Sequence, residues 1–169
     1  MKHTRSLARL FAWSFMGAAM SAWLLIGLPS DARAQQKPLK EQVVGTWTLV
    51  SGSQIGPDAI GMLVPDARGH MSMQIMSPGR PKFAVNSRVK GTPDENKGAV
   101  HGMISYFGRY TIDETSKTMI YHIERSSFPN WDGSEQKRPF TVTADELRYT
   151  NPAPSSGGPA AQLIWKRAP

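Results

Sequence analysis

Eight short segments of this chain read as strands, several of them alternating apolar with polar side chains at a period of two: residues 43–50, 60–64, 70–76, 104–112, 118–124, 137–143, 146–150 and 161–166. Such alternation marks strands with one face buried and one face wet. Turn chemistry separates them, as in Pro65-Asp66-Ala67-Arg68-Gly69 and Asp113-Glu114-Thr115-Ser116-Lys117. Close spacing of this kind leads to an antiparallel barrel or sandwich. At eight strands a closed barrel has room inside for one small ligand. Closure also removes the free edges through which strand-rich proteins aggregate. The exception to the strand pattern is residues 80–96, rich in Pro, Gly and charge. There Thr92-Pro93-Asp94-Glu95 has the composition of a helix start, which predicts one short helix from Pro93 to about Gly102.

The chain opens differently. Lys2, Arg5 and Arg9 precede an apolar run from Leu10 to Leu28, and Ala32-Arg33-Ala34 supplies the small residues that a signal peptidase accepts. Residues 1–34 are therefore expected to be a signal peptide, residues 35–42 a flexible leader and residues 43–169 the barrel domain. A retained membrane anchor is the alternative, because the run approaches the ~20 residues that span a bilayer. The expected location is periplasmic or secreted, with no membrane span after cleavage. The chain has no cysteine, so its core must hold the fold without disulfides in an oxidising compartment.

Without Lys2, Arg5, Arg9, Arg33 and Asp31, the formal charge of +7 falls to +4. The remaining cations are scattered and form no basic stripe, so nucleic acid is not an expected partner. A mild bias toward anionic ligands remains.

The densest mixture of aromatic and ionisable residues runs from Tyr106-Phe107-Gly108-Arg109-Tyr110 through Tyr121-His122-Ile123-Glu124-Arg125 to Ser127-Phe128-Pro129-Asn130-Trp131. It suits the wall and rim of a small-molecule cavity. His122 and Glu124 share a strand face, and Met119, Tyr121 and Ile123 occupy the opposite one. Periodicity leaves open which of the two points inward. Tyr106 and Tyr110 share a face with Gly108 between them, where a ring or ligand could approach the backbone. Gln74 shares its face with His70 and Ser72. Arg138 is a candidate counter-charge for an anionic ligand, since a guanidinium grips a carboxylate in two places. An internal ion pair with Glu124 is the competing role. His70, His101 and His122 with Glu124 lack metal-ligand spacing, and no phosphate loop or nucleophile elbow is present. Neither metal nor other cofactor is expected.

Three features resemble the bacterial lipocalin-like domain family, a branch of the calycin barrels: Gly45-Thr46-Trp47, Gly69-His70-Met71-Ser72-Met73-Gln74, and the aromatic series just described with Gln136 and Arg138 beyond it. The resemblance spans residues 44–167. It implies an eight-stranded antiparallel up-and-down β-barrel closed at one end and open at the other. It implies further that Trp47 plugs the closed end beneath a late basic side chain, for which Arg167 suits better than Lys166. Gly45, Trp47 and Arg167 are then structural. The resemblance also tilts His122 and Glu124 toward the lumen. Together these readings predict an exported protein that binds a small, largely apolar molecule with a polar or anionic end. The expected contacts are Tyr106, Tyr110, His122, Glu124, Trp131, Arg138 and Gln74, in a monomer or weak dimer. Two alternatives belong to other classes. One is a small isomerase, cyclase or hydrolase using His122 and Glu124 as acid and base. The other is an envelope protein with a filled barrel that acts through its surface.

Overall fold

The computed structural model describes residues 37–169; the expected signal peptide lies outside the described residues. A short helix α1 (Leu39–Val43) leads into strands β1 (Trp47–Ser51), β2 (Ile60–Pro65) and β3 (His70–Met76). Helix α2 (Pro93–His101) follows, then β4 (Met103–Asp113) and β5 (Thr118–Ser126). A single 3-10 turn (Pro129–Trp131) precedes β6 (Glu135–Val142), β7 (Glu146–Asn151) and β8 (Ala161–Arg167). Each strand pairs antiparallel with its sequence neighbours, and β8 returns to β1 through Trp47↔Arg167 and Leu49↔Trp165. The result is a closed eight-stranded up-and-down barrel.

Inward faces follow the alternation. In β3, Met71, Met73 and Ile75 are buried, and in β4 Ile104, Tyr106 and Tyr110 are buried. The outward partners of β3, such as Ser72 and Gln74, face water or lie half-exposed. The β2–β3 turn is set by Asp66, whose carboxylate accepts the His70 amide at 2.8 Å, and by Gly69 at φ +89°, a region that favours glycine. The β4–β5 turn uses Asp113 in the same manner, accepting the Thr115 and Ser116 amides at 2.9 and 3.0 Å.

Helix α2 begins at a capping box: Thr92 Oγ1 accepts the Glu95 amide at 3.3 Å and the Glu95 carboxylate accepts the Thr92 amide at 2.7 Å. Among the described residues no helix is long and apolar enough to cross a bilayer.

The start of the domain departs from expectation. The first strand begins at Trp47 rather than at residue 43, and residues 39–42 of the expected flexible leader are helical together with Val43. Glu114 fixes that helix by accepting the Leu39 and Lys40 amides at 3.0 and 3.1 Å. Val43, apolar enough to pass for a strand residue, is fully buried. It acts as a plug beneath the barrel, not as a rung of it.

Candidate functional site

The two barrel ends do different work. At one end meet the hairpin turns after β2, β4 and β6, helix α1 and the C-terminus. Here the Trp47 indole is fully buried and donates from Nε1 to the Val43 carbonyl at 2.8 Å. Arg167 covers the ring, its guanidinium carbon 4.1 Å from the ring centre. It donates to three backbone carbonyls: Ala144 at 2.6 Å, Val44 at 2.9 Å and Gln42 at 2.7 Å. Gly45, at φ +134°, leaves the space that this arginine fills, because a Cβ there would lie 2.7 Å from a guanidinium nitrogen. Tyr110 belongs to this half as well. Its hydroxyl donates to the Asp66 carbonyl at 2.7 Å, which ties β4 to the β2–β3 turn. Burial and the nearby Asp66 charge push its pKa up to about 12. The structure thus gives Tyr110 a structural partner in place of the expected ligand contact.

The other end carries the long connections. Between the β1–β2 and β7–β8 loops a cavity of about 60 Å³ reaches into the lumen, walled by Met73, Ile75, Tyr106, Tyr149, Leu163 and the rim residue Trp131. Gln54, Ile55, Ile104, Ser155 and Ser156 form a shared lip with an outer groove of about 510 Å³, which extends to Val100 and His101 of α2 and to Phe128. Gln54 bridges the two loops, bonding Ser156 Oγ and the Pro159 carbonyl.

Aromatic rings run from this rim down the barrel. Trp131 meets Phe128 and Tyr106 edge-on, each at 5.7 Å between ring centres. Tyr106 approaches Tyr121 at 5.9 Å, Tyr121 approaches Tyr149 at 6.3 Å, and Tyr149 stacks on Trp165 at 6.1 Å. These separations lie in the favourable range for aromatic pairs. Trp131 is held by the 3-10 turn, with its amide donating to the Phe128 carbonyl at 3.0 Å.

One charged residue among the described ones is buried: Arg138, on the inner face of β6, 2 % exposed. Its guanidinium lies 5.8 Å from the Tyr121 ring centre and donates to the Lys137 carbonyl at 3.0 Å and to Gln136 Oε1. The expected alternative, an ion pair with Glu124, is not formed. Burial raises the pKa values of Tyr106, Tyr121 and Tyr149; the Arg138 charge acts in the opposite direction on all three, and the neighbouring phenols raise Tyr121 and Tyr149 further.

His122, Glu124 and Gln74 are on the outer wall, against the lumen placement that the resemblance favoured for the first two. Cross-strand register explains the reversal for β5. Tyr121 pairs with Tyr110, so Met119, Tyr121 and Ile123 continue the buried face of β4 and His122 turns out. Between Phe107/Arg125 and Gly108/Ile123 the register slips, leaving Glu124 as the extra residue of a β-bulge. His122 Nδ1 lies 3.6 Å from the Glu135 carboxylate, while Gln74 donates to Ser72 Oγ at 3.2 Å. Among the described residues no His, Asp or Glu cluster has the makings of a metal site.

Of the candidates for the cavity, then, the structure brings together Tyr106 and Trp131 in its wall and Arg138 beside Tyr106. It adds Tyr149, Leu163, Met73 and Ile75, absent from the sequence-based site. Their alternation on β3, β7 and β8 carried the signal, but it reads as ordinary core until the barrel is assembled.

Residues 44–168 match the family model described as Lipocalin-like domain. A curated relative, the 4'-hydroxy-3'-methoxypropiophenone carrier protein ppsC of Aspergillus oryzae, is 32% identical over 108 residues, covering 59% of this chain and 97% of the relative. With its closed eight-stranded meander, a plugged end and an aromatic open end, the chain belongs to the lipocalin-like domain family.

Proposed function

We propose that the protein is an exported carrier that binds a small, largely apolar molecule with one polar end through the open mouth of the barrel. The observation that carries this reading is the pairing of a narrow inner cavity against Tyr106 and Tyr149 with a wider outer groove behind a common lip. For scale, an apolar cavity of ~150 Å³ binds benzene. The inner space, at about 60 Å³, suits a small head group, and the groove suits the body of the molecule. Trp131 walls the inner cavity and packs edge-on against Phe128, which lines the groove. The relative's name makes it the carrier of an aryl ketone, 4'-hydroxy-3'-methoxypropiophenone. Export rests on the basic and apolar pattern of residues 2–34.

Acid–base chemistry by His122 and Glu124 has no support from this site, because both side chains face away from the lumen. The experiment that tests carriage is native mass spectrometry, before and after organic extraction, on protein purified from its own host. A co-purifying small molecule that extraction removes and re-addition restores is the expected result. Titration with N-phenyl-1-naphthylamine, a neutral apolar fluorophore, provides the complementary readout. Failure to retain any molecule together with no fluorophore binding would favour a filled barrel acting through its surface.

A further inference from the structure

The polar groups of the lumen are unbalanced. Three buried donors lack an acceptor: the Tyr121 hydroxyl, Arg138 Nε and Trp165 Nε1. Gln136 supplies an oxygen to one guanidinium nitrogen. No carboxylate joins them, since none of the ion pairs among the described residues includes Arg138. The phenols do not compensate the charge either, because burial keeps Tyr106, Tyr121 and Tyr149 protonated. A guanidinium cannot escape by losing its proton. An unpaired charge removed from water costs several kcal/mol, which a protein normally offsets with a partner of opposite sign.

Position connects this imbalance to the cavity. Tyr106 and Tyr149 line its inner wall, and their rings lie 5.9 and 6.3 Å from the Tyr121 ring, against which the Arg138 guanidinium sits at 5.8 Å, so the guanidinium lies behind that wall and not in it. A phenol beside a guanidinium accepts from it and keeps its own O–H to donate onward. Tyr106 accepts from both Arg138 and Tyr149, so an incoming group with only acceptor oxygens would meet the free Tyr106 O–H and, behind it, a full positive charge. Amine or ammonium groups would meet donors and repulsion.

Building on the carrier reading, we infer that the inner cavity is an anion subsite centred on Arg138, which takes the carboxylate of a small apolar acid while Tyr106 and Tyr149 flank it and Trp131 holds the apolar body at the rim. The site discriminates by charge, because a neutral molecule of the same shape leaves the guanidinium unpaired. Hydrogen bonds to a charged group stabilise by about 1.5–3 kcal/mol, which converts to a preference of ~10-fold or more.

The test compares cinnamate with cinnamamide, two planar molecules of one shape that differ in charge, by calorimetric titration at neutral pH. Cinnamate is expected to bind ~10-fold or more tightly. Arg138→Gln should bring the two within about 2-fold, whereas Lys137→Gln, which removes an exposed neighbouring charge, should retain the preference. Should Arg138→Gln fail to fold, unmodified protein still decides the matter. Cinnamate affinity must then fall as its carboxylate is protonated, with cinnamamide affinity flat over the same range. Equal affinities for the two compounds, with N-phenyl-1-naphthylamine still bound, would overturn the anion subsite and leave the carrier reading intact. No binding of any of the three would overturn both. A preference that survives Arg138→Gln would also overturn it.

Discussion

The Arg167 guanidinium lies over the Trp47 indole, 4.1 Å from the ring centre, and hands its N–H groups to the carbonyls of Gln42, Val44 and Ala144. One side chain thereby ties together three segments that the β1–β8 and β7–β8 ladders bring side by side: the α1–β1 link, the β6–β7 turn and the end of β8. Arg167→Lys keeps the charge but loses the planar fork. Three hydrogen bonds and a cation–π contact are at stake, so Arg167→Ala should cost about 2–4 kcal/mol and Arg167→Lys at least half as much. Urea unfolding monitored by circular dichroism checks this. Ligand affinity, set at the opposite end, should remain unchanged in whichever variant stays folded.

Substitutions on the outer wall of β5 should leave binding alone. His122→Ala and Glu124→Ala remove side chains that face solvent, and exposed pairs contribute ~0–1 kcal/mol. Affinity for N-phenyl-1-naphthylamine is expected to stay within about 2-fold of the parent. A large loss in either variant would return these residues to the site.

Trp131→Ala should behave in the opposite sense. The ring packs edge-on against Tyr106 and Phe128 and walls the cavity. Truncating an aromatic contact of this size removes about 1–3 kcal/mol of ligand burial, a loss of ~10-fold in affinity. Fluorescence titration measures it, with the thermal midpoint as a control for folding.

Gly108→Ala tests the bulge. A Cβ at Gly108 would lie 2.1 Å from the His122 carbonyl oxygen and 2.8 Å from the Glu124 amide nitrogen. Both are backbone atoms, so the strands must part. Overpacking of this kind costs about 1–3 kcal/mol, readable as a lowered urea midpoint with an unchanged slope.

Alkali should unfold the protein through its tyrosines. All four, Tyr106, Tyr110, Tyr121 and Tyr149, hold their protons above the ordinary value of 10.0, chiefly through burial. An unfolded chain ionises near 10 and the native one later, so their contribution is complete below pH 10. It is lost as pH climbs toward the native values, about 12 for Tyr110. Tyrosinate absorbance is expected to rise together with loss of the circular dichroism signal. A separate, earlier absorbance step near pH 10 would show that at least one phenol is open to water.

Strand identity was legible because β-branched and aromatic residues alternate cleanly between turn signals, and the capping box at Thr92 and Glu95 located α2 equally well. The meeting of Trp47 with Arg167 was legible only through the family resemblance carried by Gly45-Thr46-Trp47, since nothing in the periodicity links residues so far apart in the chain. Inner and outer faces were not. On β5 both faces hold residues fit for a pocket, and only pairing with β4 decides that Tyr121 turns in and His122 out. The bulge at Glu124 compounds this, because period-two counting fails wherever a strand carries an extra residue. Val43 misled for a related reason. Two β-branched residues, Val43-Val44, beside a strand signal look like more strand, although here Val43 ends a helix against the core.

The barrel is sealed along every seam, since β8 completes its ladder with β1. Nothing held in the lumen can leave sideways without breaking a strand pair, so traffic must pass over the lip where Gln54 ties the β1–β2 loop to Ser156 and Pro159. The height of the barrier to entry and exit is therefore set at this lip, whereas affinity is set deeper in the lumen. Weakening the Gln54 tie would speed entry and exit alike while Tyr106, Tyr149 and Leu163 stay in place deeper in the cavity.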